Sequence, residues 1–368
     1  MPSAANRAPF VYVGGYTGFG PNARGNGSGI EVFRLNRETG ALTHLGTKAG
    51  VENPSFLTVD QSQRFLYAVN GSPTIDGHPG GAVTALAIAP ATGLLGDLNR
   101  QYTTGQGPCH VAVDRARTYV IATSYHTGSV VVFPVQPDGS LAPASDLVQH
   151  HGSSVNPQRQ AGPHAHSVTF DPAERFCLVC DLGLDRVFVY SLDRASGKLL
   201  PNEPPYVATT PGAGPRHLAF HPNGRIVFVI NEMGNTITSY HYAGERGTLS
   251  PIESVPTLPP DFTGENTTAD IHVAPSGRFV YGSNRGHDSI VIYAFDEAAA
   301  RLSYVGHEPT GGRTPRNFTL SRDGSLLLAA NQDSDNVVAF RVDQTRGLLT
   351  PTGGVAASPS PTCVRIVE

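Results

Sequence analysis

One short pattern is written again and again along this chain, and it restricts the fold more than any other feature. A proline or small residue and a polar residue lead into an alternating apolar segment, a tight turn and a second apolar segment. It reads PSFLTVDQSQRFLYAVN from Pro54, PCHVAVDRARTYVIATSY from Pro108, and GPHAHSVTFDPAERFCLVCDLGLDRVFVY from Gly162. It returns as PRHLAFHPNGRIVFVINE from Pro215, ADIHVAPSGRFVYGSNRG from Ala269 and PRNFTLSRDGSLLLAANQ from Pro315. The copies lie roughly 46 to 57 residues apart, the range in which four-stranded propeller blades repeat. Alternation of period two on both sides of turns such as Pro-Asn-Gly, Pro-Ser-Gly and Arg-Asp-Gly predicts a hairpin in each copy. Third strands follow (SVVVFPV, RVFVYSL, SIVIYAF, NVVAFRV), and no stretch shows sustained helical periodicity.

Six full copies leave a fragment at each end. The C-terminal SPTCVRIVE reads as a first strand lacking its partner, and the N-terminal FVYVGGYT as a second strand with nothing before it. Joined, they complete a blade and close the ring, which removes the loose sheet edges that invite aggregation. The expected fold is therefore all-β: a seven-bladed β-propeller forming a single domain over residues 1–368. The pattern is broken in places, as at Asp114-Arg115-Ala116 and Asp171-Pro172-Ala173-Glu174, which lack the usual glycine.

Composition then narrows the partners. A formal charge of −4 and 15% charged residues, with no clustered basic face, exclude nucleic acid as the expected partner. No apolar run reaches membrane-spanning length, so no membrane partner and a cytoplasmic location are expected. Cys177 and Cys180 resemble a C-x-x-C motif, but three residues apart on a strand they face opposite sides and share neither a metal nor a bridge.

In a hairpin, the start of the first strand and the end of the second lie at the same end. If the first strand of every blade lines the channel, these positions ring one mouth of it. The starts are Ser55, Cys109, His166, Arg216, Ala269, Arg316 and Thr362; the ends are Asn70, Tyr125, Asp181, Glu232, Arg285 and Gln332. Three arginines converging on one mouth repel each other, so Arg216, Arg285 and Arg316 point to an anionic ligand. His164 and His166, with Arg159 and Gln160 just upstream, are read as part of the same site. Structural readings stand beside these: Asp181 as a strand terminator bonding its own backbone, and Glu232 as an ordinary ion-pair partner. The polar loop Gln149–Pro163 is long for a blade connection and is a candidate wall over the mouth. Its His150-His151 pair, with His164 and His166, invites a zinc hypothesis, which no His-Glu-x-x-His or cysteine pattern supports, so no metal is expected. Nor does any phosphate-binding glycine loop imply an organic cofactor.

The run HHGSSVNPQRQAGPHAHSVTFDPAERF, with GPRHLAFHPNG, SGRFVYGSNRG and NQDSDNVVAF, resembles the seven-bladed propeller lactonase family. That family includes the propeller type of 6-phosphogluconolactonase and is similar to the fungal 3-carboxy-cis,cis-muconate lactonising enzyme. The resemblance spans essentially the whole chain. It implies that His166, Arg216, Glu232 and Arg285 form a catalytic group, acting on a small anionic lactone by metal-independent acid/base chemistry. On that basis Glu232 or His166 is the expected base, and an arginine stabilises the oxyanion. Substrate contacts are expected from Arg159, Gln160, His164, Asp181, Arg316 and Gln332. A muconate-type cycloisomerase, a metal-dependent propeller lactonase and a non-enzymatic binding module are the alternatives.

Overall fold

A computed structural model describes residues 8–20 and 23–368. Seven four-stranded antiparallel sheets stand around a central channel. The sheet built from both chain ends is blade 1: Pro361–Val367 is innermost, followed outward by Phe10–Gly15, Gly29–Leu35 and Leu42–Ala49. Phe10 pairs with Val367 and Gly14 with Cys363, so the ring is locked as the repeat arithmetic requires. Blades 2 to 7 follow in chain order, with innermost strands Leu57–Val59, Pro108–Val113, Ala165–Phe170, Pro215–Phe220, Thr267–Val273 and Pro315–Leu320.

Alternating apolar side chains place the core between blades. Val11 and Val13 of blade 1 pack with Leu326 and Leu328 of blade 7. Ile121 and Val130 of blade 3 pack with Val168 and Val179 of blade 4. Cys177 belongs to that cluster, whereas Cys180 joins the next one with blade 5, so the two thiols face opposite sides as the strand period demands. Blades are also hooked at the rim. Gly139 has φ +91, and a Cβ there would meet the Phe65 ring at 2.3 Å, so the ring of blade 2 lies flush on the outer turn of blade 3. Tyr67 donates its hydroxyl to the Gly139 carbonyl at 3.1 Å, and Tyr12 to Gly93 and Tyr281 to Gly347 repeat the bond in other blades. The turns without glycine keep the common shape: Gln63, Arg117 and Glu174 occupy the left-handed position (φ 56, 52 and 53) that Gly224, Gly277 and Gly324 fill elsewhere.

The feature that builds the site is a repeated irregularity. In blades 3, 4, 5 and 7 the register of the innermost strand shifts at its first turn, between Pro108 and His110, Ala165 and Ser167, Pro215 and His217, and Pro315 and Asn317. The skipped residues are Cys109, His166, Arg216 and Arg316. Blade 1 skips Thr362 in the same way, and blade 6 skips Ala269 and Asp270. A bulge frees a residue from the ladder and re-aims its side chain; Cys109, His166 and Arg316 thereby reach the mouth, and Arg216 and Thr362 a smaller void below it.

Candidate active site

A cavity of about 620 Å³ occupies the mouth. Its lining includes Cys109, His166 and Arg316 from the bulges, Tyr125, Glu232 and Arg285 from the ends of second strands, and Arg159 and His164 from the blade 3–4 connection. Glu232 is the hub. Its Oε2 accepts from Arg216 Nε at 3.0 Å and pairs with Arg285 at 2.9 Å, while Oε1 accepts from Arg159 at 2.6 Å. Its carboxylate is nearly inaccessible, at 7% exposed. Burial, the largest single influence, would raise the Glu232 pKa. Arg285, Arg216, His166 and Arg159 together outweigh it and hold the carboxyl well below its ordinary value.

Four guanidiniums thus stand around one carboxylate, and among the described residues no hydrogen bond or ion pair partners the fourth, Arg316. Arg316 lies 5.6 Å from the centre of the Tyr16 ring and lines the cavity. His166 places Nε2 at 3.9 Å from Glu232 Oε2, and its Nδ1 is 3.9 Å from the Cys109 thiol. Burial, then Arg216 and His217, push the His166 pKa well below the ordinary histidine value, so the imidazole is neutral near pH 7. Burial raises the Cys109 thiol to about 11, which leaves it protonated.

Of the loop 149–163, Gln158 and Arg159 line this cavity, and the rest is pinned at several points. His150 bonds Asp181 at 2.7 Å through Nδ1 and the Tyr190 hydroxyl at 2.9 Å through Nε2, so both ring nitrogens are engaged. Ser154 donates to Asp185 at 2.5 Å, and Asn156 caps the turn that presents Arg159. Among the described residues, no group of three or more His, Cys, Asp or Glu side chains is arranged to hold a metal ion.

Several predicted contacts lie elsewhere. Arg216 is beneath the cavity floor, lining a smaller void with Phe56, His217 and Thr362, and reaches the mouth through Glu232. Gln160 is fully buried and spends its amide on the Leu182 carbonyl and the Asn156 N–H. Asp181 is one residue out of phase: it pairs with Ala165 as Asn231 pairs with Pro215, so Leu182 occupies the place equivalent to Glu232. Its carboxylate accepts from the His164 and Leu184 N–H groups and holds His150. Gln332 has the right phase but begins a 3-10 turn, Gln332–Ser334, and bonds Asp333 instead. His164 reaches the cavity, stacked on Tyr125 at 4.3 Å with Nδ1 on the Tyr125 carbonyl. Tyr16 and Asn53 line the cavity without having been singled out. Tyr16 follows directly on Gly15, where the two chain ends meet, and is the blade 1 counterpart of Tyr125 and Glu232.

A ring of sheets with an arginine-rich polar mouth has a clear counterpart among known proteins. The family described as "Lactonase, 7-bladed beta-propeller" matches residues 10–366. The chain belongs to this family and is a lactonase. Among its relatives is the 6-phosphogluconolactonase of Bacillus subtilis, 35% identical over 357 residues that cover 97% of this chain and 98% of the relative. The 6-phosphogluconolactonase of Formosa agariphila is 32% identical, covering 92% of this chain and 94% of its own. Among solved structures, the periplasmic gluconolactonase of Pseudomonas aeruginosa superposes with a TM-score of 0.91 at 32% identity, covering 98% of this chain and 99% of its own. No helix among the described residues is long and apolar enough to cross a membrane.

Proposed function

We propose that this lactonase hydrolyses an anionic sugar-acid lactone, 6-phosphogluconolactone in the first instance, inside the mouth cavity. The observation that carries this reading is the excess of guanidinium charge over carboxylate: among the described residues no hydrogen bond or ion pair holds Arg316, which borders 620 Å³ of space. A planar guanidinium facing open volume binds phosphate or carboxylate through paired hydrogen bonds. The names of the relatives from Bacillus subtilis and Formosa agariphila support the phosphorylated substrate.

In the mechanism we propose, His166 takes a proton from water as its oxygen attacks the lactone carbonyl carbon. The imidazolium that forms is compensated by Glu232, 3.9 Å away. Glu232, already paired with three guanidiniums, takes this compensating role and not that of the base. Arg285, on the cavity wall, faces the oxyanion, a role in which a fixed cation is worth far more than in water. When the intermediate collapses, the ring C–O bond breaks and His166 returns its proton to the leaving alkoxide, giving the free hydroxy acid. Arg316 holds the substrate's remote anion. The arginines supply the positive charge, so activity is expected to survive exhaustive treatment with EDTA. All four cysteines are unpaired, compatible with a reducing compartment, and we place the enzyme in the cytoplasm.

Acid release from 6-phosphogluconolactone, measured above its spontaneous hydrolysis and beside uncharged glucono-lactone, tests the reading. Equal kcat/KM for the two lactones would remove the anion-holding role of the cluster. The same charge set would receive a muconate dicarboxylate, and lactone formation from muconates without hydrolysis of sugar lactones would move the chemistry to cycloisomerisation.

A further inference from the structure

Below the mouth, Phe56, His110, His217, Asp270 and Asn317 of different blades form one contacting cluster. Asp270 is its one carboxylate, freed from the ladder by the irregularity in blade 6, where Thr268 pairs with Asn284 and the next pair is Ile271 with Gly282. Its Oδ1 meets His217 Nδ1 at 2.8 Å. Its Oδ2 meets His272 Nε2 at 3.1 Å, the Asn317 side-chain amide, and the Phe318 N–H at 3.4 Å. Asn317 is held amide-side toward Asp270 because its Oδ1 accepts from the Val364 N–H at 2.7 Å and from Arg365 at 3.3 Å. The carboxylate can only accept, so His217 must carry its proton on Nδ1.

That tautomer has a consequence one layer up. His217 Nε2 lies 3.2 Å from Nη1 of Arg216, which also donates to the Ala269 carbonyl at 2.6 Å, while Arg216 Nε reaches Glu232. With the proton on Nε2, two donors would oppose each other across 3.2 Å. We propose that Asp270 and His217 are positioning residues: the carboxylate fixes the imidazole as an acceptor, and the imidazole fixes Arg216 where it meets Glu232. Arg216 does not line the cavity, so its orientation acts on the reacting groups through Glu232 and not on substrate capture. The other groups around His217 are His110 and His166, at ring-centre distances of 5.3 and 5.4 Å, and the Phe56 ring at 5.7 Å. None of them supplies a hydrogen bond that replaces Arg216. Burial and Arg216 lower the His217 pKa to about 4 against the pull of Asp270, consistent with a neutral acceptor.

This inference rests on the lactonase reading for its kinetic arm but not for its spectroscopic one. Two-bond 15N–1H spectra of histidine-labelled protein at pH 7 are expected to show His217 as the Nδ1–H tautomer, assigned by the signal lost in His217→Gln. Glutamine can accept from Arg216 and donate to Asp270, so H217Q is expected to keep kcat within about threefold, whereas His217→Leu loses about ten- to a hundredfold with KM within about threefold. An Nε2–H tautomer, a wild-type kcat in H217L, or an H217Q variant as impaired as H217L overturns the proposal. Should H217L fail to fold, the tautomer and the H217Q rate still decide it. Absence of activity on every lactone tried would count against the functional reading alone, leaving the tautomer to decide the positioning.

Discussion

The two ends of the innermost hairpins obey different rules. At the turn end, Asp60, Asp114 and Asp171 recur with one job: a buried carboxylate oxygen accepts the N–H groups four and five residues on, as Asp114 does from Thr118 at 2.6 Å and Tyr119 at 2.8 Å. The second oxygen of Asp114 takes Arg194 of the next blade at 2.6 Å, stitching neighbours together. At the mouth end, equivalent positions carry cysteine, histidine, arginine, alanine and threonine, and the backbone bulges wherever one of them must enter the channel. Repetition at one end makes a rigid ring; departure from it at the other makes a site. The blades are therefore equal as structure and unequal as chemistry.

Substitutions at the two ends should separate along the same line, and the largest effect is expected at the hub. Glu232→Gln removes the charge that three guanidiniums share and that would stabilise an imidazolium at His166. We expect kcat to fall about a thousandfold, with the fold retained by circular dichroism. A kcat within a few-fold of wild type would mean that the convergence on Glu232 is structural, like that on Asp114. Arg316→Ala comes next: KM for 6-phosphogluconolactone should rise about ten- to a hundredfold while kcat changes little, and glucono-lactone should scarcely notice. A parallel loss on both lactones would reassign Arg316 from the substrate's anion to the reaction itself.

How much of this could be read beforehand follows from the same contrast. The repeat and the two unmatched ends contain the ring, the blade count and the closure, because period-two alternation and turn chemistry are local signals. The mouth positions Cys109, His166, Arg216, Arg316 and Thr362 could be named by alignment, although the bulges that aim them carry no local signature. Asp181 shows the limit: an acid at a strand end reads like Glu232, yet one residue of register turns it from the channel to the His164 backbone. Gln160 failed for another reason, since a buried glutamine satisfying Leu182 and an exposed one awaiting substrate have the same sequence context. Tyr16 went unnoticed because its blade is assembled from both ends of the chain.

At the turn end the expected loss is of stability alone. Asp114→Ala strands the Thr118 and Tyr119 N–H groups, while Arg194, partly exposed, keeps its pairing with Glu174; unfolding free energy should fall by about 2–4 kcal/mol in urea titrations while kcat and KM stay as they were. A changed kcat with unchanged stability would erase the division between the two ends.

The smallest effect is pH dependence, and its sign follows from the mouth. His166 is depressed by burial, Arg216 and His217, so the unfolded chain binds its proton first as pH falls through about 6.5, the ordinary histidine value. Stability is therefore full above that point and declines below it, opposite to a histidine held by an acid. Glu232, likewise depressed, adds stability that is present above its unfolded value and lost further down, as pH falls through the ordinary carboxylate range. Turnover follows a different curve, because a base that stays neutral in the folded enzyme keeps working well below pH 6.5. Melting temperature should thus begin to fall on acidification before kcat does. A kcat that halves near pH 6.5 with no change in melting temperature would show His166 titrating as if exposed, and the neutral-imidazole base would have to be abandoned.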